Sequence, residues 1–355
     1  MSALHAARSA GPGLALASAL LFGASTPLAK LLLRNIDPWM LAGLLYLGSG
    51  AGLTILRLLS SARSGPDGEA RIRGRDWRWL GPAIVAGGVV GPVLLMMGLT
   101  RTTAASASLL LNLEGVLTTA IAWFIFRENF DRRIALGVMA IVAGGAVLAG
   151  SWHWASGESG GAVAVAGACL AWAVDNNLTR QVSLANPVQV ALLKGWVAGV
   201  TNVSIAFALG SSRPSLAGVA AAAVVGFAGY GVSLVLFVVA LRHLGAARTG
   251  AYFALAPFFG GLTAVILLRE AMTMQLLAAG GLMALGAWLH LTERHEHEHG
   301  HEGLAHEHRH VHDEHHDHSH DGSEPAGEPH SHWHVHHALR HRHPHYPDIH
   351  HQHDH

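Results

Sequence analysis

The chain has 355 residues, of which 51% are hydrophobic and only 13% charged, with 42 glycines; a soluble domain carries roughly twice that charge. The formal net charge is zero with histidine neutral, which leaves no basic footprint for nucleic acid. The lone cysteine, Cys169, excludes an intrachain disulfide framework and a cysteine-rich zinc motif.

Ten mostly apolar runs follow one another, each about as long as a helix needs to cross a bilayer. We number them spans 1 to 10: 13–33, 38–59, 78–99, 103–126, 133–150, 161–182, 187–209, 216–241, 246–268 and 272–291. Nine further runs follow the first, so it reads as a span and not as a cleaved signal peptide. Runs of this length must be helical, because in lipid each backbone group has to be paired within its own segment. Connections are short except at 60–76 and 151–160. Trp39, Trp77, Trp79, Trp123, Trp152 and Trp154 fall near span ends, as interfacial aromatics do. Pro27, Pro82, Pro92 and Pro257 fall inside spans and should kink or break them. With a cytoplasmic N-terminus, thirteen Arg before residue 292 lie inside and five Lys and Arg outside: Arg8, the six of the Arg57–Arg78 cluster, Arg127, Arg132, Arg133, Arg180, Arg242 and Arg248 against Lys30, Arg34, Arg101, Arg213 and Arg269. The positive-inside rule therefore puts both termini in the cytoplasm.

The chain repeats itself. Residues 98–128 align without a gap on 240–270, at an offset of 142, and both stretches end in Arg-Glu. Asp37-Pro38 precedes span 2 as Asn186-Pro187 precedes span 7, and Phe22-Gly23 of span 1 falls opposite Trp172-Ala173 of span 6. Five spans per half is an odd number, so the halves, 13–150 and 161–291, are inverted in the membrane. Inverted repeats with a site at their midplane interface are a transporter signature. On Phe22-Gly23, Trp172-Ala173, Arg127-Glu128, Arg269-Glu270, Pro257 and the Gly-rich spans 5 and 10, the chain resembles the EamA family of the drug/metabolite transporter superfamily. The resemblance covers residues 13–291. It implies an inner-membrane secondary carrier, commonly an exporter, driven by an ion gradient; an enzyme is not expected, and a homodimer is considered.

Polar groups inside lipid are costly and mark functional sites. Span 6 brings Asp175, Asn176 and Asn177 together, and span 4 carries Asn112 and Glu114. Asp175 shares a helix face with Thr179, Trp172 with Asn176, and Glu114 with Thr118. Glu114 could load and release the coupling proton, or form a static ion pair with Lys194, which lies well inside span 7. Lys194 could equally pair with Asp175 or meet a substrate carboxylate. Glu128 and Glu270 read as interfacial pairs with their neighbouring arginines.

Residues 292–355 hold 24 of the 28 histidines, along with many Asp and Glu, and have no apolar periodicity. They cannot bury a core and are expected to be disordered without a ligand. The pattern is His-x-His: His295, His297, His299 and His301; His306, His308, His310 and His312; His330, His332, His334 and His336. Neutral imidazole binds Ni, Co and Zn, so the tail is expected to bind one of these metals. Joined to the ten spans, it suggests a proton-coupled exporter of divalent transition-metal ions that moves its cargo through Asp175, Asn176, Asn177, Asn112 and Glu114. The alternative is a carrier of amino acids or other small organic metabolites whose tail only buffers or senses metal.

Overall fold

The computed structural model describes residues 2–61, 74–126, 132–150, 159–180, 187–244, 246–291, 296–301, 305–310, 330–335 and 339–344. Up to residue 291 these residues are helical apart from short turns, and a helical rod occupies the place of each expected span. Spans 1, 2, 5, 6, 7 and 10 are the single helices Ser2–Leu32, Pro38–Ser61, Arg132–Gly150, Ser159–Arg180, Pro187–Ala208 and Met274–Leu291. Among the described residues seven rods are long and apolar enough to cross a membrane, and Met274–Leu289 is a shorter apolar helix. Ser159–Arg180 is not one of the seven; Asp175, Asn176 and Asn177 lower its mean hydropathy.

Spans 3, 4, 8 and 9 are broken, and broken alike in the two halves. Span 3 runs as Trp77–Ala83, a π-helical segment Ile84–Val90 and Gly91–Arg101; span 8 runs as Leu216–Gly226, a π-helical segment Phe227–Val232 and Ser233–Leu244. Span 4 divides into Ala104–Leu110 and Leu113–Phe126, and span 9 into Ala246–Phe253 and Ala256–Leu268. Each break falls close to its counterpart at the offset of 142 residues that aligns the halves. Pro82 and Pro92 flank the first π-segment, and Pro257 opens the second part of span 9. A proline there removes an amide that would otherwise pair along the helix. Pro27, expected to kink span 1, sits inside one unbroken helix.

Packing has the same symmetry. Span 2 lies against span 7, span 4 against span 9 and span 5 against span 10; span 3 against span 6 is matched by span 8 against span 1. Exchanging the halves returns the same set of neighbours, as an inverted repeat requires. Small residues permit these close crossings. A Cβ on Gly226 of span 8 would collide with the Leu45 carbonyl of span 2, and one on Gly48 with the Ala223 backbone. Backbone cannot yield as a side-chain tip can, so Gly226→Val is expected to cost about 3 kcal/mol or more by overpacking. A thermal melt of the purified variant in detergent checks this; an unchanged midpoint would mean that spans 2 and 8 can part without cost.

The second compact unit, Arg294–His355, is separate from Met1–Glu293. Where the sequence predicts no regular structure, its described residues form two antiparallel ribbons, Glu296–His301 with Leu339–Pro344 and Ala305–His310 with His330–Val335. The reason is legible afterwards: His-x-His has period two, the period of a strand. His297 stands opposite His343, His299 opposite His341, His306 opposite His334, His308 opposite His332 and His310 opposite His330. His295, His312 and His336 lie outside the described residues.

Candidate functional site

The π-segment of span 3 is the floor of the site. A π turn widens the helix and leaves carbonyls able to accept further bonds, and such turns recur at functional sites. The Gly87 carbonyl accepts the Tyr46 hydroxyl at 2.8 Å and the Trp172 indole N–H at 2.9 Å, while the Gly88 carbonyl accepts the Asn202 amide at 3.0 Å. Spans 2, 6 and 7 are thereby tied to one turn of span 3. Gly87 also has to be glycine, since a Cβ there would strike the Asp175 carboxylate.

Against this floor the structure resolves the choice of partner for Lys194. Its ammonium donates to Asp175 Oδ1 at 2.5 Å and to Thr179 Oγ1 at 3.0 Å, and Thr179 donates to the same carboxylate at 2.8 Å. The static Glu114–Lys194 pair considered from sequence is not formed. Glu114 instead accepts the Asn176 amide at 2.8 Å, and that amide also approaches Thr118 Oγ1 at 3.4 Å. Asn177 spends its amide on the Ala173 carbonyl at 2.8 Å and the Thr118 carbonyl at 3.2 Å, and is buried. Asn112 donates to the Leu109 carbonyl at 2.8 Å, closing the break in span 4, and contacts Met283 Sδ at 3.9 Å. Of the six polar residues singled out in the spans, the structure joins two as an ion pair and two as an amide–carboxylate contact. The other two serve the backbone.

Aromatic residues, not singled out from sequence except Phe22 and Trp172, continue the site toward spans 1, 8 and 9. Tyr46 lies 5.7 Å from Tyr230 between ring centroids, Tyr230 lies 5.9 Å from Phe22, and Phe22 lies 5.4 Å from Phe253. Each of these rings is half-buried within the bundle. The available signal was a tyrosine in the middle of spans 2 and 8, where an interfacial aromatic does not belong. Beside this row the Ser18 hydroxyl donates to the Ser233 carbonyl at 2.7 Å, and the Ser233 hydroxyl to the Ser18 carbonyl at 2.9 Å. This reciprocal pair holds span 1 to span 8 next to the second π-segment.

Glu270 corrects the sequence reading. It does not pair with Arg269; its two carboxylate oxygens accept the Ala104 and Ala105 amides at 2.8 Å each. Those amides open the first helix of span 4 and have no partner within it. Arg269 is the left-handed C-cap of span 9, with φ of 54°, and this turn sends the chain back toward span 4. Glu128 lies outside the described residues.

The model of the EamA-like transporter family matches residues 9–150 and 159–292, that is, both halves. The chain is 28% identical over 283 residues to an uncharacterized transporter of Methanothermobacter thermautotrophicus, covering 76% of this chain and 82% of that one. It is 37% identical over 109 residues to a probable 4-amino-4-deoxy-L-arabinose-phosphoundecaprenol flippase subunit ArnE of Pseudomonas paraeruginosa, covering 31% of this chain and 92% of that one. A crystal structure superposes with a TM-score of 0.58 at 20% identity, covering 79% of this chain and 98% of that one, a likeness of fold alone.

Proposed function

Since the chain belongs to the EamA-like transporter family, and is therefore a multi-pass membrane transporter of the drug/metabolite superfamily, we propose that it carries a small organic solute in exchange for protons at Glu114. One observation carries the choice of cargo. The carboxylate that a bare metal ion would need beside Glu114 is already committed: Asp175 is neutralised by Lys194 and accepts the Thr179 hydroxyl, while the Asn112 and Asn177 side chains are anchored through their N–H groups to backbone carbonyls. What stays accessible is the Glu114 carboxylate with the Asn176 amide, one turn along span 6 from Trp172, which shares the Gly87 carbonyl with Tyr46 at the head of the aromatic row. A carboxylate beside aromatic faces suits an organic solute with an amino group, held by charge and by cation–π contact. The ArnE relative supports an organic cargo, since the cargo in its name is an aminosugar attached to a lipid. On this reading the carrier belongs to the plasma membrane, as the family resemblance implies, and the positive-inside count favours both termini in the cytoplasm.

The test is proton movement in proteoliposomes loaded with a pH-sensitive dye. Amines, amino acids, Ni²⁺, Co²⁺ and Zn²⁺ are offered in turn. An organic amine should drive proton flux and the metal ions should not; flux driven by a metal ion alone would replace this reading with metal export.

The tail is then a separate metal-binding part that buffers or senses Ni, Co or Zn. Cross-strand partners share one face of a ribbon, so His306, His308, His310, His330, His332 and His334 form a single row of paired positions. A two-stranded ribbon is marginal in water by itself, and metal bridging across the strands would stabilise it. Metal binds unprotonated imidazole, so binding should be present at neutral pH and lost as pH falls below about 6.5, the ordinary imidazole value. Calorimetric titration of Ni²⁺ into the full-length protein and into a truncation at Glu293 checks this. Equal binding by both would remove the tail from the account.

A further inference from the structure

One end of the bundle is stitched by two charged side chains that the site itself does not use. The turn at residues 101–103 joins span 3 to span 4. On its span 3 side, the Lys30 ammonium donates to the Leu99 carbonyl and, at 2.9 Å, to the Thr102 carbonyl. On its span 4 side, Glu270 takes the Ala104 and Ala105 amides, and Thr103 caps the Ser106 amide at 3.1 Å. Lys30 ends span 1 of the first half, whereas Glu270 follows span 9 of the second. Both line a polar chamber of about 570 Å³ together with Arg101, Thr103, Ser106 and Gln275. Gln275, at the start of span 10, donates in turn to the Val147 carbonyl at the end of span 5.

Between this chamber and Glu114 the wall of span 4 is closed. Ala104, Ala105, Ala107 and Ser108 are all at most 1% exposed. A Cβ on Gly260 of span 9 would meet the Ser108 hydroxyl, and one on Gly23 of span 1 would meet the Ala256 carbonyl, so spans 1, 4 and 9 are packed without a gap. Past this wall, Glu114 keeps partial exposure and Asn176 is exposed. Glu114 is thus shut off from the end of the bundle where Glu270 sits. The Glu270 carboxylate is what joins span 9 of one half to span 4 of the other there, through two charge-assisted bonds.

We propose that Glu270 is the gate residue of this end: its grip on the Ala104 and Ala105 amides, with Lys30 holding the other side of the turn, keeps the path to Glu114 shut, and its release opens it. Glu270 acts by positioning span 9 against span 4 and does not touch the cargo. The inference needs only that the chain transports by alternating access. The sequence carries Ala-Ala and Arg-Glu again at the same offset, as Ala246-Ala247 and Arg127-Glu128, so the clasp uses elements that both halves possess.

The test reads access directly and needs no substrate, so its failure is separable from that of the organic-cargo reading. Ser108 has a buried hydroxyl with no hydrogen-bond partner, so Ser108→Cys breaks no bond; Cys169→Ser removes the native thiol. In proteoliposomes a membrane-impermeant maleimide should label Ser108→Cys slowly. Adding Glu270→Gln should speed labelling by about tenfold, the effect of losing one charged hydrogen bond, from one face of the membrane only. Lys30→Met should act in the same direction. If Glu270→Gln does not fold, Glu270→Asp, which keeps the charge but withdraws the carboxylate, should show the same sided increase. Labelling unchanged in folded variants, or raised equally from both faces, would overturn the gate.

Discussion

Replacing Lys194 with methionine is expected to destabilise the protein by about 3–5 kcal/mol, the usual cost of stranding one member of a buried ion pair. The side chains of Lys194 and Asp175 are only 17% and 10% exposed, so solvent screens little of the loss. Asp175 has no room to turn elsewhere, since one oxygen lies against Gly87 and the other already holds Thr179. Asp175→Asn should cost less, because the longer Lys194 side chain can reach outward with its charge. The double variant Asp175→Asn, Lys194→Met should recover most of the stability, since neither charge is then stranded. A double-mutant cycle on thermal or denaturant unfolding measures the coupling. Single variants as stable as wild type would show that the pair contributes nothing. The double variant should also keep at least half of the proton-coupled flux if the pair pins span 6 to span 7. Complete loss of flux in a stable double variant would return Asp175 to the cargo path.

That the pair exists was only half legible in the sequence. A lysine inside span 7 and two carboxylates in spans 4 and 6 announced a partnership, but not which one, because the choice depends on how the helices rotate against each other. The structure makes it through the π-segment Ile84–Val90, which brings Gly87 under Asp175 and leaves Glu114 to Asn176. Nothing in a hydropathy pattern marks a π turn, although Pro82 and Pro92 on either side and the pair Gly87-Gly88 were readable as points of weakness. The span order, the halves and the break before Pro257 were readable, because each rests on local rules of length, repetition and proline chemistry. Glu270 was misread for the opposite reason. Its neighbour Arg269 is near in sequence, but its partners, the Ala104 and Ala105 amides, are near only in space. In the tail the alternation was visible while its consequence was not, since strand pairing joins His306 to His334 across a long intervening stretch.

Glu114→Gln is expected to remove proton-coupled flux by about a hundredfold or more, the scale on which a positioned proton-transfer group acts. The substitution is close to isosteric. Glutamine keeps an oxygen for the Asn176 amide, so folding should be preserved and the melting midpoint unchanged. What goes is the group that can hold either a proton or a positive charge of the cargo. Uphill uptake driven by a pH gradient should therefore vanish, and what exchange remains should no longer respond to pH. The dye-loaded proteoliposomes that test the cargo read both outcomes. This prediction and the first constrain each other. Acidic residues inside the described spans are Glu114 and Asp175, and Asp175 shares its charge with Lys194 whereas Glu114 faces an amide. If Glu114→Gln retains full coupling, the proton must travel by Asp175. The double variant that neutralises Asp175 and Lys194 should then lose coupling instead of keeping it. Proton-coupled flux retained in both sets of variants would mean that the proton passes by neither carboxylate, and would overturn the assignment of Glu114.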